Sequence, residues 1–245
     1  MSDLTQDAIL PGNLRIFQTT DGPRVNLDTI ILASWVKLHS GHSKFLEAGC
    51  ATGALSLILA KRFTGDFHVT GIDIQEDLIT LAKKNANLHE LNDKVKFIRG
   101  DLRDKDLLPR EYYDGLVINP PYASLNASRE SNNLSRSTAR LELTCTIDDV
   151  SELAKRVLKS RGRLFAIFKS ERLDEFIMAM LRNKIMPKRL RPVYPDINHN
   201  SGVFLIECIK NGGEGLNILP PLIIRDENNN YTQELLQAYE LDGRL

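Results

Sequence analysis

Four consecutive residues, Asn119, Pro120, Pro121 and Tyr122, end the apolar run Leu116-Val117-Ile118. Two prolines stop a sheet ladder or a helix, because each lacks an N–H and has a fixed φ. What the combination can do is hold a planar amino group. An exocyclic amine on adenine is a poor nucleophile, since its lone pair is delocalised into the ring. Two fixed acceptors, the Asn119 side-chain oxygen and the Pro120 carbonyl, would hold its N–H bonds and favour a more pyramidal nitrogen. Pro121 restricts the backbone before it. Tyr122 offers a face on which a base can stack, worth roughly 1–3 kcal/mol. With an electrophile that is already activated, the protein supplies alignment and electrostatics, and the proton leaves after attack.

The run EAGCATG (47–53) supplies a second constellation. Gly49 and Gly53 let a backbone turn sharply and approach a ligand closely, with Cys50 and Ala51 between them. Asp73, followed by Ile74, ends the next apolar run and can accept from both hydroxyls of a ribose. Asp101, followed by Leu102, stands where a third strand ends and could accept from an exocyclic amino group. A pyrophosphate would need a G-x-G-x-x-G loop at a helix N-terminus. Here the loop is G-x-A-x-G, and the Glu47 carboxylate before it would repel phosphate. It suits a ligand with a positive amino group, a ribose and an adenine: S-adenosylmethionine rather than a dinucleotide. The bland alternative is that Glu47 only caps a helix and Asp73 only pairs with a lysine.

Such groups need strands to place them. Strands are expected at 44–49, 67–74, 94–101, 113–119 and 162–168, with helices at 53–63, 75–91, 147–160 and 171–183. This alternation reads as an α/β fold with a mostly parallel sheet and helices on both faces. A helix over 29–38 should precede the sheet, with Asp28 near its N-cap. Asp148 or Asp149 should cap the helix at 147. Strands at 187–195 and 202–211, then a short strand, a turn and a short helix, follow. The organisation expected is one domain: an N-terminal helical segment (1–43), a core (44–210) and a C-terminal extension (211–245) packed on it. The stretch 123–140, rich in Ser, Asn and Arg, reads as a mobile loop over the site.

Lys plus Arg and Asp plus Glu both number 32, so bulk charge does not hold nucleic acid. Local patches could. Arg182, Lys184, Lys188, Arg189 and Arg191 lie within ten residues, and Arg129, Arg136 and Arg140 follow the proline motif. Either set could contact phosphates, or could be a solvated edge. Cys50, Cys145 and Cys208 are far apart, giving neither a disulfide framework nor metal-ligand spacing. The acidic N-terminus and the lack of an 18-residue apolar run predict a cytoplasmic protein without a membrane span. Trp35, at helical spacing with Ile31 and Leu38, reads as core.

EAGCATG, GIDIQ, GDLRD and INPPY occur in an order that resembles class I S-adenosylmethionine-dependent methyltransferases of the amino-group type. More narrowly, the chain resembles the bacterial tRNA adenine-N6 methyltransferases that act beside the anticodon of a valine tRNA. RVNLDTIILAS (24–34) resembles that family's R-F-x-x-D-x-x-L-L segment, and ARLE (139–142) its A-R-H-E. PKRLRPVYP (187–195), GGEGLNILPPLII (212–224) and YTQE (231–234) resemble its C-terminal signatures. The resemblance covers about residues 15–235. It implies a Rossmann-like seven-stranded sheet with the last strand antiparallel, and cofactor binding through Glu47, Gly49, Asp73 and Asp101, with Cys50, Ala51, Gly53, Ile74, Leu102 and Asn119 as candidate cofactor contacts beside them. It also implies tRNA as partner, with Arg24, Asp28, Arg136, Arg140, Lys188, Arg189 and Arg191 as candidate substrate contacts. The chain departs from the family at Glu47 (usually Asp), Ala51 (usually Gly), Ala123 (often Phe) and Leu141 (usually His). The rival readings are the same chemistry on a protein glutamine, DNA adenine or an rRNA base, and a cofactor fold that binds RNA without turnover.

Overall fold

The computed structural model describes residues 3–10, 12, 14–120 and 145–242. The chain opens with an antiparallel hairpin, β1 (Leu4–Leu10) and β2 (Leu14–Thr19), and continues into α1 (Leu27–Trp35). The segment 1–43, expected to be helical, is therefore helical only in part. Alternation of Leu14 and Ile16, buried, with exposed Arg15 is the strand signal behind β2. Asn26, not Asp28, caps α1: its side chain accepts from the Thr29 N–H, and Asp28 lies in the first turn.

The sheet follows as β3 (Lys44–Ala48), α2 (Ala54–Arg62), β4 (His68–Asp73), α3 (Glu76–Leu88), β5 (Val95–Arg99) and β6 (Tyr113–Ile118). After residues 121–144 come α4 (Ile147–Val157), β7 (Leu158–Lys169), α5 (Leu173–Arg182), β8 (Ile185–Tyr194) and β9 (Val203–Lys210). The seven long strands lie in the order β5-β4-β3-β6-β7-β9-β8, with β9 antiparallel to both neighbours and every other pairing parallel. That is the expected arrangement. Two short strands, β10 (Asn217–Ile218) and β11 (Leu222–Ile223), pair parallel with β8, and α6 (Gln233–Gln237) ends the regular structure.

Period-two alternation sorts the strand residues onto two cores. Phe45, Val117, Phe165, Ile167 and Leu205 face α1, α2 and α3, while Leu46, Leu116, Leu164, Ala166 and Ile206 face α4 and α5. From the last segment Leu222, Leu235 and Ala238 join the first core. Helix α4 stops at Val157, three residues short of the expected end, because Leu158 pairs with Tyr113 and Lys159 reaches Asp114 at 2.6 Å. Its N-cap is Thr146, in a capping box with Asp149.

Fully buried Asn85 on α3 fastens the hairpin to the sheet. Its amide accepts from the Phe17 N–H (2.7 Å) and donates to the carbonyls of Phe17 and Thr52 (3.0 Å each). Asn85→Ala would strand three backbone groups, so a loss of at least about 2 kcal/mol is expected in denaturant unfolding. An unchanged midpoint would show that water replaces the amide.

Candidate active site

The sheet's strand order reverses between β3 and β6, and a ligand crevice is expected outside the carboxyl ends of these strands. A cleft of about 300 Å³ lies there, lined by Glu47, Gly49, Cys50, Ala51, Asp73, Asn119 and Pro120, among others. The loop between β3 and α2 is held by two amides, Gly49 and Cys50, which donate to the Ile72 carbonyl at 2.9 and 3.0 Å. Gly53 caps α2 at φ +82°, and a Cβ there would stand 2.6 Å from Phe97 Cζ. Gly53→Ala combines a left-handed alanine with that overlap. A loss of about 2–4 kcal/mol in thermal or denaturant unfolding is expected; wild-type stability would mean that Phe97 swings aside freely. Ala51, where the family's usual glycine is missing, is held at φ +45°.

Asp73 is buried, and each oxygen accepts one backbone amide: Oδ2 from Ala51 and Oδ1 from Gln75, both at 3.0 Å. The Ile74 amide also acts on this carboxylate; with about four acceptor positions, it keeps capacity for a ribose hydroxyl. Burial raises its pKa, and the amides act the other way. Glu47 is also buried. One of its oxygens accepts both the Ser56 N–H, at 2.9 Å, and the Ser56 hydroxyl. Burial pushes its pKa up to about 8 against these two bonds, and the Asp73 charge adds to the rise.

A narrow crevice continues from Gly49 and Asp73 past Ile74, Asp101 and Leu102 to Cys145. Ile74 is 38% exposed, an apolar surface suited to the flat face of a purine. Asp101 lies two residues past the end of β5, and Arg103 engages both its oxygens, at 3.0 and 2.6 Å, which lowers its pKa. Together these groups fit S-adenosylmethionine: a ribose acceptor, an apolar purine slot and an acid for an ammonium.

Asn119 follows β6 at the far wall of the cleft. The orientation of its amide can be deduced from α1. Asn26 Oδ1 accepts the Thr29 N–H at 3.2 Å, which fixes that atom as oxygen, and it also accepts the Thr29 hydroxyl at 3.2 Å. With its hydrogen committed, Thr29 Oγ1 is an acceptor toward Asn119, and Asn119 Nδ2 donates to it at 3.2 Å. The Asn119 oxygen is thereby turned away from α1. Asn26 and Thr29 line the cleft, and neither was read as a site residue. The N-cap preference of Asn signalled Asn26, but nothing local tied Thr29 to a residue 90 positions away. Pro121 and Tyr122 lie outside the described residues, as do Arg129, Arg136, Arg140 and the segment 123–140.

The chain matches the family described as methyltransferase domain over residues 39–211. It belongs to that family. A tRNA1(Val) (adenine(37)-N6)-methyltransferase of Dickeya chrysanthemi is 27% identical over 227 residues, 91% of this chain and 88% of the relative. A crystal structure of a predicted O-methyltransferase from Agrobacterium tumefaciens superposes with a TM-score of 0.72 at 18% identity, covering 89% of this chain and 98% of that one. A geranyl diphosphate methyltransferase in complex with S-adenosylmethionine gives 0.53 at 13% identity over 74% and 82%.

The remaining sequence-derived residues of the methyltransferase fall into two groups. Arg24 lines the cleft and pairs with Asp7 at 2.8 Å, whereas Asp28 is not among the lining residues. The cluster 182–191 does not form one surface. A bulge between Pro187 and Arg189 sets Arg189 opposite Glu207, and its guanidinium lies 4.0 Å over the ring of buried Trp35. Arg191, 7% exposed, pairs with Glu234 at 2.5 Å and donates to the Pro220 carbonyl. Lys188 donates to the Glu214 carbonyl at 2.7 Å, and Arg182 pairs with Asp148 at 2.9 Å. Three candidate phosphate contacts, Lys188, Arg189 and Arg191, are thus spent on holding β8 against β9 and the last segment. No described helix is long and apolar enough to cross a membrane.

Proposed function

We propose that the chain transfers the methyl group of S-adenosylmethionine to the exocyclic N6 amine of adenine in tRNA, beside the anticodon. The observation that carries the reading is the Asn119 amide, fixed through Thr29 and Asn26 in the cleft that also holds Asp73 and Glu47. The name of the Dickeya chrysanthemi relative, which spans most of both chains, supports the acceptor. Asp73 binds the ribose hydroxyls, Ile74 and Leu102 sandwich the cofactor's purine, and Glu47 faces its ammonium. The cofactor supplies an electrophilic methyl on sulfonium. Asn119 Oδ1 and the Pro120 carbonyl accept the two N–H bonds of the target amine and hold its lone pair toward that methyl. No buried base is required, since the amine sheds its proton after attack. Tyr122 stacks the flipped-out base, a role that rests on the motif alone.

The test is transfer of labelled methyl to separate pools of unmodified tRNA, rRNA, DNA and protein, with products digested to monomers. Label in N6-methyladenosine from tRNA, lost in Asn119→Ala, supports the reading. Label in protein glutamine or DNA keeps the chemistry and replaces the acceptor. Absence of label from every pool, with the cofactor shown to bind, favours an RNA-binding module without turnover.

A further inference from the structure

A second and larger concavity, about 680 Å³, lies outside the cofactor cleft, between α4, the β5–β6 connection and the ends of α5 and β9. It meets the purine crevice at Leu102, which lines both. Helix α4, eleven residues and so roughly 16 Å long, forms one wall. Its shape is fixed by cations used internally. Arg156 donates to the carbonyls of Leu102 and Asp104 at 2.8 Å each, tying α4 to the β5–β6 connection. Lys210 bonds Glu111 and the Leu158 carbonyl at 2.8 and 2.7 Å.

Four more cations line the groove: Lys105, Arg110, Lys155 and Lys184, all exposed. Among the described residues, the ion pairs of this region are Arg103–Asp101, Arg182–Asp148 and Lys210–Glu111, and the four take part in none. Of the groove's acids, Glu111 is paired with Lys210, and Asp149 accepts from Thr146 in the capping box. Glu152 is left against four cations. In a chain of zero net charge, this concentration of one sign in a concave wall focuses the field on an anion.

We infer that this groove holds consecutive backbone phosphates of the RNA whose base enters at Asn119. The inference rests on RNA being the acceptor, and of the contiguous cluster 182–191 it keeps Lys184 alone, joined to cations of the β5–β6 connection and α4. Phosphate contacts position a nucleic acid and carry its salt dependence.

The experiment measures tRNA affinity against salt for the full chain and for the triple variant Lys105→Ala, Arg110→Ala, Lys155→Ala. A control pair, Lys83→Ala with Lys96→Ala, removes exposed cations outside the groove. Unfolding midpoints and S-adenosylmethionine affinity check that each variant is folded. The triple variant should bind tRNA at least about tenfold more weakly, with a log–log salt slope shallower by about 2–3, near 0.7–0.9 per lost contact. The control should match the wild type. A triple variant with wild-type affinity and slope overturns the groove and leaves the acceptor reading standing. A wild type that binds no tRNA while methylating another acceptor overturns both.

Discussion

Asn119→Ala is expected to lower kcat by about 10²–10³, the scale of losing one preorganised polar group aimed at the reacting centre. On the proposed reading Asp73 and Glu47 carry the hold on the cofactor, so the affinity for S-adenosylmethionine should change little. The partner substitutions make the prediction specific to orientation. Thr29→Val keeps the shape but removes the acceptor for Asn119 Nδ2, so the amide loses its anchor. A fall of about tenfold in kcat is expected, the effect of roughly 1.4 kcal/mol. Thr29→Ser retains the hydroxyl and should recover most of the rate. Single-turnover methyl transfer at saturating cofactor is the measurement. Equal rates for Asn119→Ala and the wild type would remove the amide from the chemistry. A normal Thr29→Val beside a defective Asn119→Ala would show that the amide needs no partner on α1.

The second large effect is on the pH dependence of cofactor affinity. Glu47 has an ordinary value of 4.5 raised to about 8, chiefly by burial. At pH 7 the ligand-free protein therefore holds this carboxyl about nine-tenths protonated. An ammonium beside it favours the charged form, so binding expels the proton. Affinity should rise by close to tenfold per pH unit up to about pH 7. It should then flatten as Glu47 ionises and the ligand's own amine, roughly pKa 7.7–8.0 by analogy with α-amino groups, loses its charge. Calorimetry at pH 7 in buffers of different ionisation enthalpy should read about 0.7–0.8 proton released, the carboxyl's release less roughly 0.1–0.2 taken up by the ligand's amine, and Glu47→Gln should release none. The same shift affects folding. Between the ordinary carboxylate value and about 8 the folded chain binds a proton that the unfolded chain does not, so ligand-free stability falls as pH rises through that window. Glu47→Gln should lessen that slope. Binding without proton release would mean that Glu47 stays neutral and only positions Ser56.

The C-terminal half marks where composition leaves two readings open. Lys188, Arg189 and Arg191 look like a phosphate patch because they are adjacent in sequence. In the fold, one bulge turns Arg189 and Arg191 inward, toward buried Glu207 and toward Glu234. Ion pairing across a sheet depends on register, and register is a property of two strands at once. The same limit hid the hairpin at Leu4–Thr19, whose attachment through Asn85 spans 68 positions.

The sequence by itself determined the alternation of strands and helices, the glycine loop, and the placing of Glu47, Asp73 and Asn119 at strand ends. Each of these is a local signal: a period of two or of 3.6, a glycine where φ must be positive, a proline where a ladder must stop. Only the tertiary structure decided which way the Asn119 amide faces, that Glu47 is buried deeply enough to hold a proton, and which cations remain on the surface. Those outcomes depend on neighbours 9 to 90 positions away. Desolvation and hydrogen-bond direction are set by what packs alongside a residue, and short-range spacing does not encode that.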